Sequence, residues 1–362
     1  MLKILLSKPV FIFSAIILLL LISIPFQNNI DIQRNKFRAI QDTVLVTSST
    51  LKKVSLGFNE LLSDIYWFRA LQYVGTDEII FSEKDSNLLY KYLDIITDLD
   101  PKFVNAYRFG GTFLAEPNPF GLDDIENGEK LLDKGRMNNP NNFRLPLEQA
   151  FLYYLHTNDY NKAADLFHEA SEKPGMSDFR SSSLRGMAAT ARQRSGDREL
   201  SKKIWEDIYN NTTNEGRKNF AFRNLKELET QDFEDKLTVL LRKFDSENGR
   251  LPKNLGELVD TGYLKKVPKD HDEKDFLIVS SNKLVKSPTL ANTFFKENLG
   301  FINARSQRFY GINGRYAADI DELRIFMNES ADARGFPEHP LGEEYIYNPE
   351  TGEVDYDKWF LE

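Results

Sequence analysis

The chain repeats one short segment in its C-terminal third. Phe-Asp-Ser-Glu-Asn-Gly-Arg-Leu at 244–251 matches Phe-Tyr-Gly-Ile-Asn-Gly-Arg-Tyr at 309–316, and the two segments lie 65 residues apart. After a four-residue insertion in the second copy, the match resumes between 276–278 and 345–347. Several short matches at a nearly constant separation indicate an internal duplication. The C-terminal third must therefore fold as two similar modules.

Each copy shows the same order of local patterns. Apolar residues at helical spacing predict an amphipathic helix, which Asn-Gly-Arg ends, and a short leucine-rich stretch follows. A turn containing proline and a strand-like run complete the copy. In the second copy, Asn-Pro-Glu-Thr-Gly at 348–352 predicts a hairpin turn. We therefore expect two small α+β modules, at 231–290 and 291–362.

Composition limits the classes of function. The 362 residues are 41% hydrophobic and 28% charged, which is typical of a folded chain of two or three domains. A net charge of −8 gives no basic surface for nucleic acid. The chain has no cysteine, which excludes disulfides, thiolate catalysis and cysteine-ligated metal sites.

The N-terminal segment differs from the rest. Residues 10–26 are apolar except for two serines and one proline, and with the preceding leucines they reach the length of a membrane-spanning helix. We expect an uncleaved anchor at 1–30, followed by a stalk at 31–57. A cleaved signal peptide is the alternative, but no small-residue cleavage pattern follows the apolar run.

The charges around the predicted anchor are nearly balanced. Lys3 and Lys8 precede the apolar run, and Arg34, Lys36 and Arg38 follow it. Together with the resemblance described below, this pattern favours a single-pass inner-membrane protein whose body is periplasmic.

The region at 58–230 has apolar residues at steps of three and four, which predicts antiparallel helix pairs. Its clearest motif is Tyr160, Ala163, Phe167 and Ala170, at the spacing of the second helix of a tetratricopeptide repeat. The region thus resembles three or four degenerate tetratricopeptide repeats. That resemblance implies an α-solenoid whose concave groove binds a peptide or protein partner. As candidate groove residues we expect Tyr107, Arg108, Gln149 and Tyr153, and core packing is the favoured alternative for each of the two tyrosines.

The duplicated region carries a second resemblance. The segments at 248–252, 262–270 and 345–354 are similar, in the same order, to motifs in the soluble domains of type II secretion pseudopilins and type IV pilins. However, 4–26 contains no acidic residue and lies some two hundred residues before the similar part. We therefore expect a docking module and not a filament subunit. Arg250 and Arg315 occupy equivalent places and are further candidates for partner binding.

The sequence shows little catalytic chemistry. The four histidines are scattered, and neither a phosphate-binding loop nor a nucleophile motif is present. The acidic turn at 270–275 offers oxygen ligands for calcium. Because it lacks a turn glycine and the second copy keeps few of its carboxylates, we favour a solvated turn and expect no metal, no cofactor and no catalytic residue.

Together, these patterns predict a mainly α fold: a transmembrane helix, a tetratricopeptide-like solenoid and two α+β pilin-like modules. The expected function is a protein-interaction scaffold in a cell-envelope assembly, related to secretion or pili. Two alternatives stay open. One is an envelope enzyme with a site in the cleft between the solenoid and the modules, and the other is an adaptor that faces the cytoplasm.

Overall fold

The computed structural model describes residues 45–75, 83–117, 120–329 and 335–358. The predicted anchor at 1–30 and most of the predicted stalk lie outside these residues. Within the described parts, no helix combines the length and the apolar character needed to cross a membrane. The fold is mainly helical with four short strands, so the predicted fold class is confirmed at that level.

The first of two compact units contains the first helices of the described chain. These are α1 (Ser48–Val54), α2 (Asn59–Val74) and, from residue 87 onward, α3 (Glu83–Leu99). Ser63 of α2 donates a hydrogen bond of 3.0 Å to the carbonyl oxygen of Ile96 on α3. The rings of Tyr66 and Tyr92 lie 6.3 Å apart between the same helices. Small polar and aromatic side chains therefore join α2 to α3.

The second unit begins with helices that pack mainly against their neighbours along the chain. They are α4 (Val104–Ala115), α5 (Ile125–Asn138), α6 (Arg144–Leu152) with a π-helical turn (Tyr153–Thr157), α7 (Tyr160–Ser171), α8 (Asp178–Arg194), α9 (Arg198–Asn211) and α10 (Glu215–Asn248). Asp or Ser caps begin α7, α8 and α9, because each cap side chain accepts a backbone N–H of the first turn. Ala163 of α7 is fully buried, as the helical-hairpin prediction requires.

Glycines let α4 and α5 approach closely. A Cβ added at Gly111 would lie 2.5 Å from Cγ of Leu132, and one added at Gly135 would lie 2.8 Å from the Tyr107 ring. A Cβ at Gly128 would lie 2.8 Å from the carbonyl oxygen of Gly111. Glycine lowers the intrinsic stability of a helix, but here it allows a close approach of α4 and α5 that a larger residue would prevent. The close packing offsets the lower helix propensity.

The C-terminal modules begin inside a long helix. Helix α10 continues across position 231, so the expected module boundary falls inside one uninterrupted helix. The first module adds α11 (Leu255–Asp260), β1 (Leu277–Val279) and β2 (Leu284–Lys286). The second consists of α12 (Pro288–Asn313), α13 (Ile320–Glu329), β3 (Ile346–Asn348) and β4 (Glu353–Asp355).

The two modules repeat the same core. Each has one antiparallel strand pair, with Ile278 opposite Val285 in the first and Tyr347 opposite Val354 in the second. The leucine-rich stretches form the short helices α11 and α13. Equivalent buried residues pack under each strand pair: Phe244, Leu258 and Val285 in the first module, and Phe309, Leu323 and Val354 in the second. The duplication in sequence is thus a duplication in packing.

Candidate functional site: an apolar cleft in the helical region

A cavity of about 510 Å³ opens on the helical region of the second unit. Its lining comes from α6 and the following π-helical turn, from α7, α8 and α9, and from the start of α10. The lining residues are Phe151, Tyr154, Phe167, Ser182, Ser183, Gly186, Met187, Thr190, Trp205, Ile208, Gly216, Arg217 and Phe220. Its volume lies within the range of small-ligand and side-chain pockets, about 300–1,000 Å³.

The floor of the cleft is one face of α8. Ser182, Ser183, Gly186 and Thr190 recur at the helical spacing and are small, so they leave space where larger side chains would fill it. A Cβ at Gly186 would already lie 3.0 Å from the indole ring of Trp205. The cavity therefore exists because α8 presents small side chains toward large ones on α7, α9 and α10.

Aromatic rings form the walls. Phe167 meets the ring of Phe151 edge-on at 5.2 Å, and Trp205 meets the ring of Phe220 edge-on at 5.5 Å. Met187 and Phe220 remain exposed at the mouth. Exposed apolar side chains around a concave surface are typical of a binding site.

Arg217 is the charged residue of this lining. It donates hydrogen bonds to the hydroxyl oxygens of Ser182 and Ser183, the latter at 2.6 Å, and its guanidinium lies 3.9 Å over the Phe179 ring. Its Nε–H is buried and has no acceptor among the described residues, and no carboxylate of that part of the chain pairs with it. Burial lowers the pKa of the Arg217 guanidinium. An anion bound here could form charge-assisted hydrogen bonds with Arg217, which no carboxylate of the described residues neutralises.

A polar pocket of about 380 Å³ adjoins the cleft. It shares Ser182, Ile208 and Arg217 with the cleft. Its other lining is mostly polar or charged and includes Asp178, Arg185, Asn211, Thr212 and Asn214. Arg217 thus stands between an apolar cavity and a polar one. The arrangement suits an occupant that is apolar at one end and anionic or polar at the other.

Three of the groove residues expected from the sequence are not exposed. The exposed fractions of Tyr107, Gln149 and Tyr153 are 0%, 2% and 6%. The hydroxyl of Tyr107 accepts a bond of 3.0 Å from Asn138, and Gln149 donates one of 2.9 Å to Asp133. The expectation that they face a groove is therefore wrong, because their side chains fill the spaces between α4, α5 and α6.

The hydroxyl of Tyr153 is also committed within the fold, since it donates to the Glu129 carboxylate. Burial, followed by that hydrogen bond, raises the pKa of Tyr153 well above its ordinary range. Arg108 is only partly exposed, and its Nε donates a bond of 2.8 Å to Glu148. None of the four residues lines the cleft.

Arg250 and Arg315 occupy equivalent places, as the duplication predicts. Each donates through both terminal nitrogens to one carboxylate, Arg250 to Glu257 and Arg315 to Glu322. Each guanidinium also lies over the buried phenylalanine one turn before the helix end. Both arginines are thus engaged in holding the turn between the module's long and short helices.

That turn has the same geometry in both copies. Gly249 and Gly314 end their helices with φ of 70° and 67°, a left-handed conformation that glycine adopts at little cost. The hydrogen bonds from Arg250 and Arg315 hold the pKa of each paired glutamate at about 2. The repeated Asn-Gly-Arg motif therefore encodes a helix end and an ion pair.

The acidic turn at 270–275 is organised by its own protein groups. Asp270 accepts hydrogen bonds from the backbone N–H of Asp272 and Lys274, both 2.9 Å, and from the Ser287 hydroxyl at 2.8 Å. Burial opposes ionisation, but these bonds outweigh it and lower the pKa of Asp270. Within the described ranges, no three His, Cys, Asp or Glu side chains form a group suited to a metal ion.

A third cavity, of about 340 Å³, lies between the modules and includes Glu234, Lys286 and His339. Burial raises the pKa of Glu234, whose carboxylate accepts from the Ser287 backbone N–H at 2.7 Å and from Lys286 at 3.3 Å. His339 accepts backbone N–H groups at its Nδ1, and burial lowers its pKa. The Glu234 carboxylate and the Nδ1 atom of His339 are thus both engaged in hydrogen bonds within the fold.

Sequence reasoning missed the cleft residues. Arg217 and the small residues of α8 were not among the expected site residues, and Phe167, part of the α7 motif, is buried at 1% exposure. The available signal was the row of small residues on α8, where a buried helix face would carry leucine or isoleucine. In comparisons with known proteins, neither a family model nor a curated protein nor a solved structure matches the chain.

Proposed function

We propose that this chain is a membrane-anchored binding protein of the cell envelope, which holds a segment of a partner protein in the apolar cleft of its helical region. The observation that carries this proposal is the combination of an apolar cavity of about 510 Å³ with Arg217, which forms no ion pair with a described carboxylate. The tetratricopeptide-like motif of α7 supports it, because such repeats bind protein segments. The anchor and the periplasmic location belong to the same proposal and rest on the N-terminal sequence.

The lining defines the chemistry of the segment. Aromatic walls and a floor of small residues suit one large apolar side chain, for which burial contributes about 1.5–3 kcal/mol. Arg217 suits a carboxylate beside that side chain, because arginine binds carboxylates through two parallel hydrogen bonds. The expected recognition element is therefore a phenylalanine or leucine next to an aspartate or glutamate.

A peptide-binding measurement on the full chain in mild detergent tests this proposal. The probes are three fluorescein-labelled hexapeptides, which differ only at their central pair: Phe-Asp, Phe-Asn and Ala-Asp. Fluorescence anisotropy should show the tightest binding for Phe-Asp. Replacing either member of the pair should weaken binding about tenfold or more, since a charge-assisted hydrogen bond contributes about 1.5–3 kcal/mol.

Two variants link the binding to the cleft. Arg217→Gln should remove the preference for Phe-Asp over Phe-Asn. Met187→Trp should narrow the cleft and weaken the binding of both peptides. Arg250→Gln, outside the cleft, is the matched control and should bind like the natural chain. Equal binding of all three peptides, or a preference that survives Arg217→Gln, would show that the cleft does not recognise this element.

A further inference from the structure

The exposed side of α2 carries a row of large apolar side chains, which we name the α2 stripe. Its members lie at alternating steps of three and four residues, with exposed fractions of 67%, 58%, 42% and 65%: Phe58, which directly precedes α2, and Leu61, Ile65 and Phe68 within it. The opposite side of α2 carries the buried residues Ser63, Tyr66 and Ala70. The stripe therefore faces away from the packing of its own unit.

The spacing of the stripe is that of a coiled-coil seam. Apolar residues at the first and fourth positions of a seven-residue repeat pack against a matching helix. Phe58 and Ile65 take the first position of successive repeats, and Leu61 and Phe68 take the fourth. Because single exposed apolar residues are common but a continuous row is not, the stripe indicates a surface that another helix covers.

The charges beside the stripe specify that helix. Asp64 lies on one flank, at the seventh position of the repeat, and Arg69 lies on the other, at the fifth position of the next repeat. Both are exposed, and neither forms an ion pair within the described parts of the chain. The Arg69 guanidinium lies 5.4 Å over the ring of Tyr66 on its own helix.

In a parallel pair of helices, the seventh position of one repeat faces the fifth position of the partner's next repeat. Asp64 would then meet the partner subunit's Arg69, and symmetry would form the same pair a second time. In an antiparallel pair, like positions face each other, so Asp64 would meet an aspartate and Arg69 an arginine. The charges therefore complement a parallel second copy and oppose an antiparallel one.

We propose that two copies of this chain associate in parallel through the α2 stripe. The helix is already held by its packing on α3, so association does not have to offset the entropy of folding it. A lipid surface is the other candidate to cover an apolar row, but it would make no use of the Asp64 and Arg69 placement. This proposal is independent of the cleft, which lies in the other unit.

Disulfide crosslinking of the full chain in membranes tests the proposal. The chain has no cysteine, so between two copies one introduced cysteine can pair only with the same position of the other copy. Leu61→Cys and Phe68→Cys, made separately and oxidised with copper phenanthroline, should each give a covalent dimer on a non-reducing gel. Glu60→Cys, exposed but outside the stripe, is the control and should give at least tenfold less covalent dimer.

The pattern of crosslinks decides the arrangement. An antiparallel pair places each of these cysteines beside a different residue, and a stripe on lipid leaves them apart. Absence of either self-crosslink would therefore overturn the proposal.

A charge swap tests the register in the Phe68→Cys background. Asp64→Arg should reduce the dimer about fivefold, because it places arginine opposite arginine, and adding Arg69→Asp should restore it. An amount of crosslinked dimer that is unchanged by Asp64→Arg would contradict the parallel register. Circular dichroism spectra that match the parent protein's would verify that the variants fold.

Discussion

Replacing Gly128 by alanine tests the close contact between α4 and α5. The new methyl carbon would lie 2.8 Å from the carbonyl oxygen of Gly111 and 3.1 Å from Cβ of Ala115. Favourable contacts between carbon atoms lie at about 3.5–4.0 Å, so the helices must separate. Overpacking of this kind costs about 1–3 kcal/mol, and the better helix propensity of alanine returns about 1 kcal/mol. We expect a net loss of up to about 2 kcal/mol.

Gly300 provides the matched control, because it lies inside α12 and a Cβ there would meet no atom within 4 Å. Gly300→Ala should stabilise the chain by about 0.5–1 kcal/mol. Thermal unfolding followed by circular dichroism should show opposite shifts for the two variants, by about 2–4 °C for each kcal/mol. A melting temperature that rises equally in both would refute the close packing at Gly128.

Two further predictions concern the duplicated turn and the membrane topology. An NMR titration should place the carboxyl pKa of Glu257 and Glu322 at about 2, and Arg250→Gln should return only that of Glu257 toward 4.5. Because the pKa values of both glutamates are lower in the folded state, the two ion pairs stabilise the fold above pH 4.5. This stabilisation is lost as the pH falls toward 2. A Glu257 pKa near 4.5 in the natural chain would contradict the ion pair with Arg250. A reporter that is active only outside the cytoplasm should work when fused after Glu362, whereas activity of a cytoplasmic reporter there would contradict the proposed location.

Local sequence patterns determined much of the secondary structure. The spacing of Tyr160, Ala163 and Phe167 predicted α7, and the hairpin signal at 348–352 predicted the turn between β3 and β4. These features depend on periodicity and on turn residues, which act over a few positions. The continuity of α10 across position 231 was not evident from these patterns, since helical periodicity does not show where one module's core replaces another's.

The duplication also predicted that Arg250 and Arg315 are equivalent, and the structure confirms equivalent contacts. It could not predict that both are engaged with glutamates, because an arginine and a glutamate seven residues apart meet only when the glycine turn reverses the chain. The sequence thus determined the symmetry, and the turn geometry decided the contacts.

The cleft was decided by tertiary structure alone. Trp205 comes from α9, and Arg217 and Phe220 come from α10. Whether an aromatic side chain fills a core or lines a cavity depends on what the neighbouring helix presents. Tyr107 and Gln149 show the converse, since partners on α5 bury side chains that a repeat pattern places on a groove. Sequence by itself determined which helices, turns and repeated modules form, because those follow from short-range spacing. Packing between helices decided which faces are closed and which stay open, because it depends on side-chain volumes brought together from distant positions.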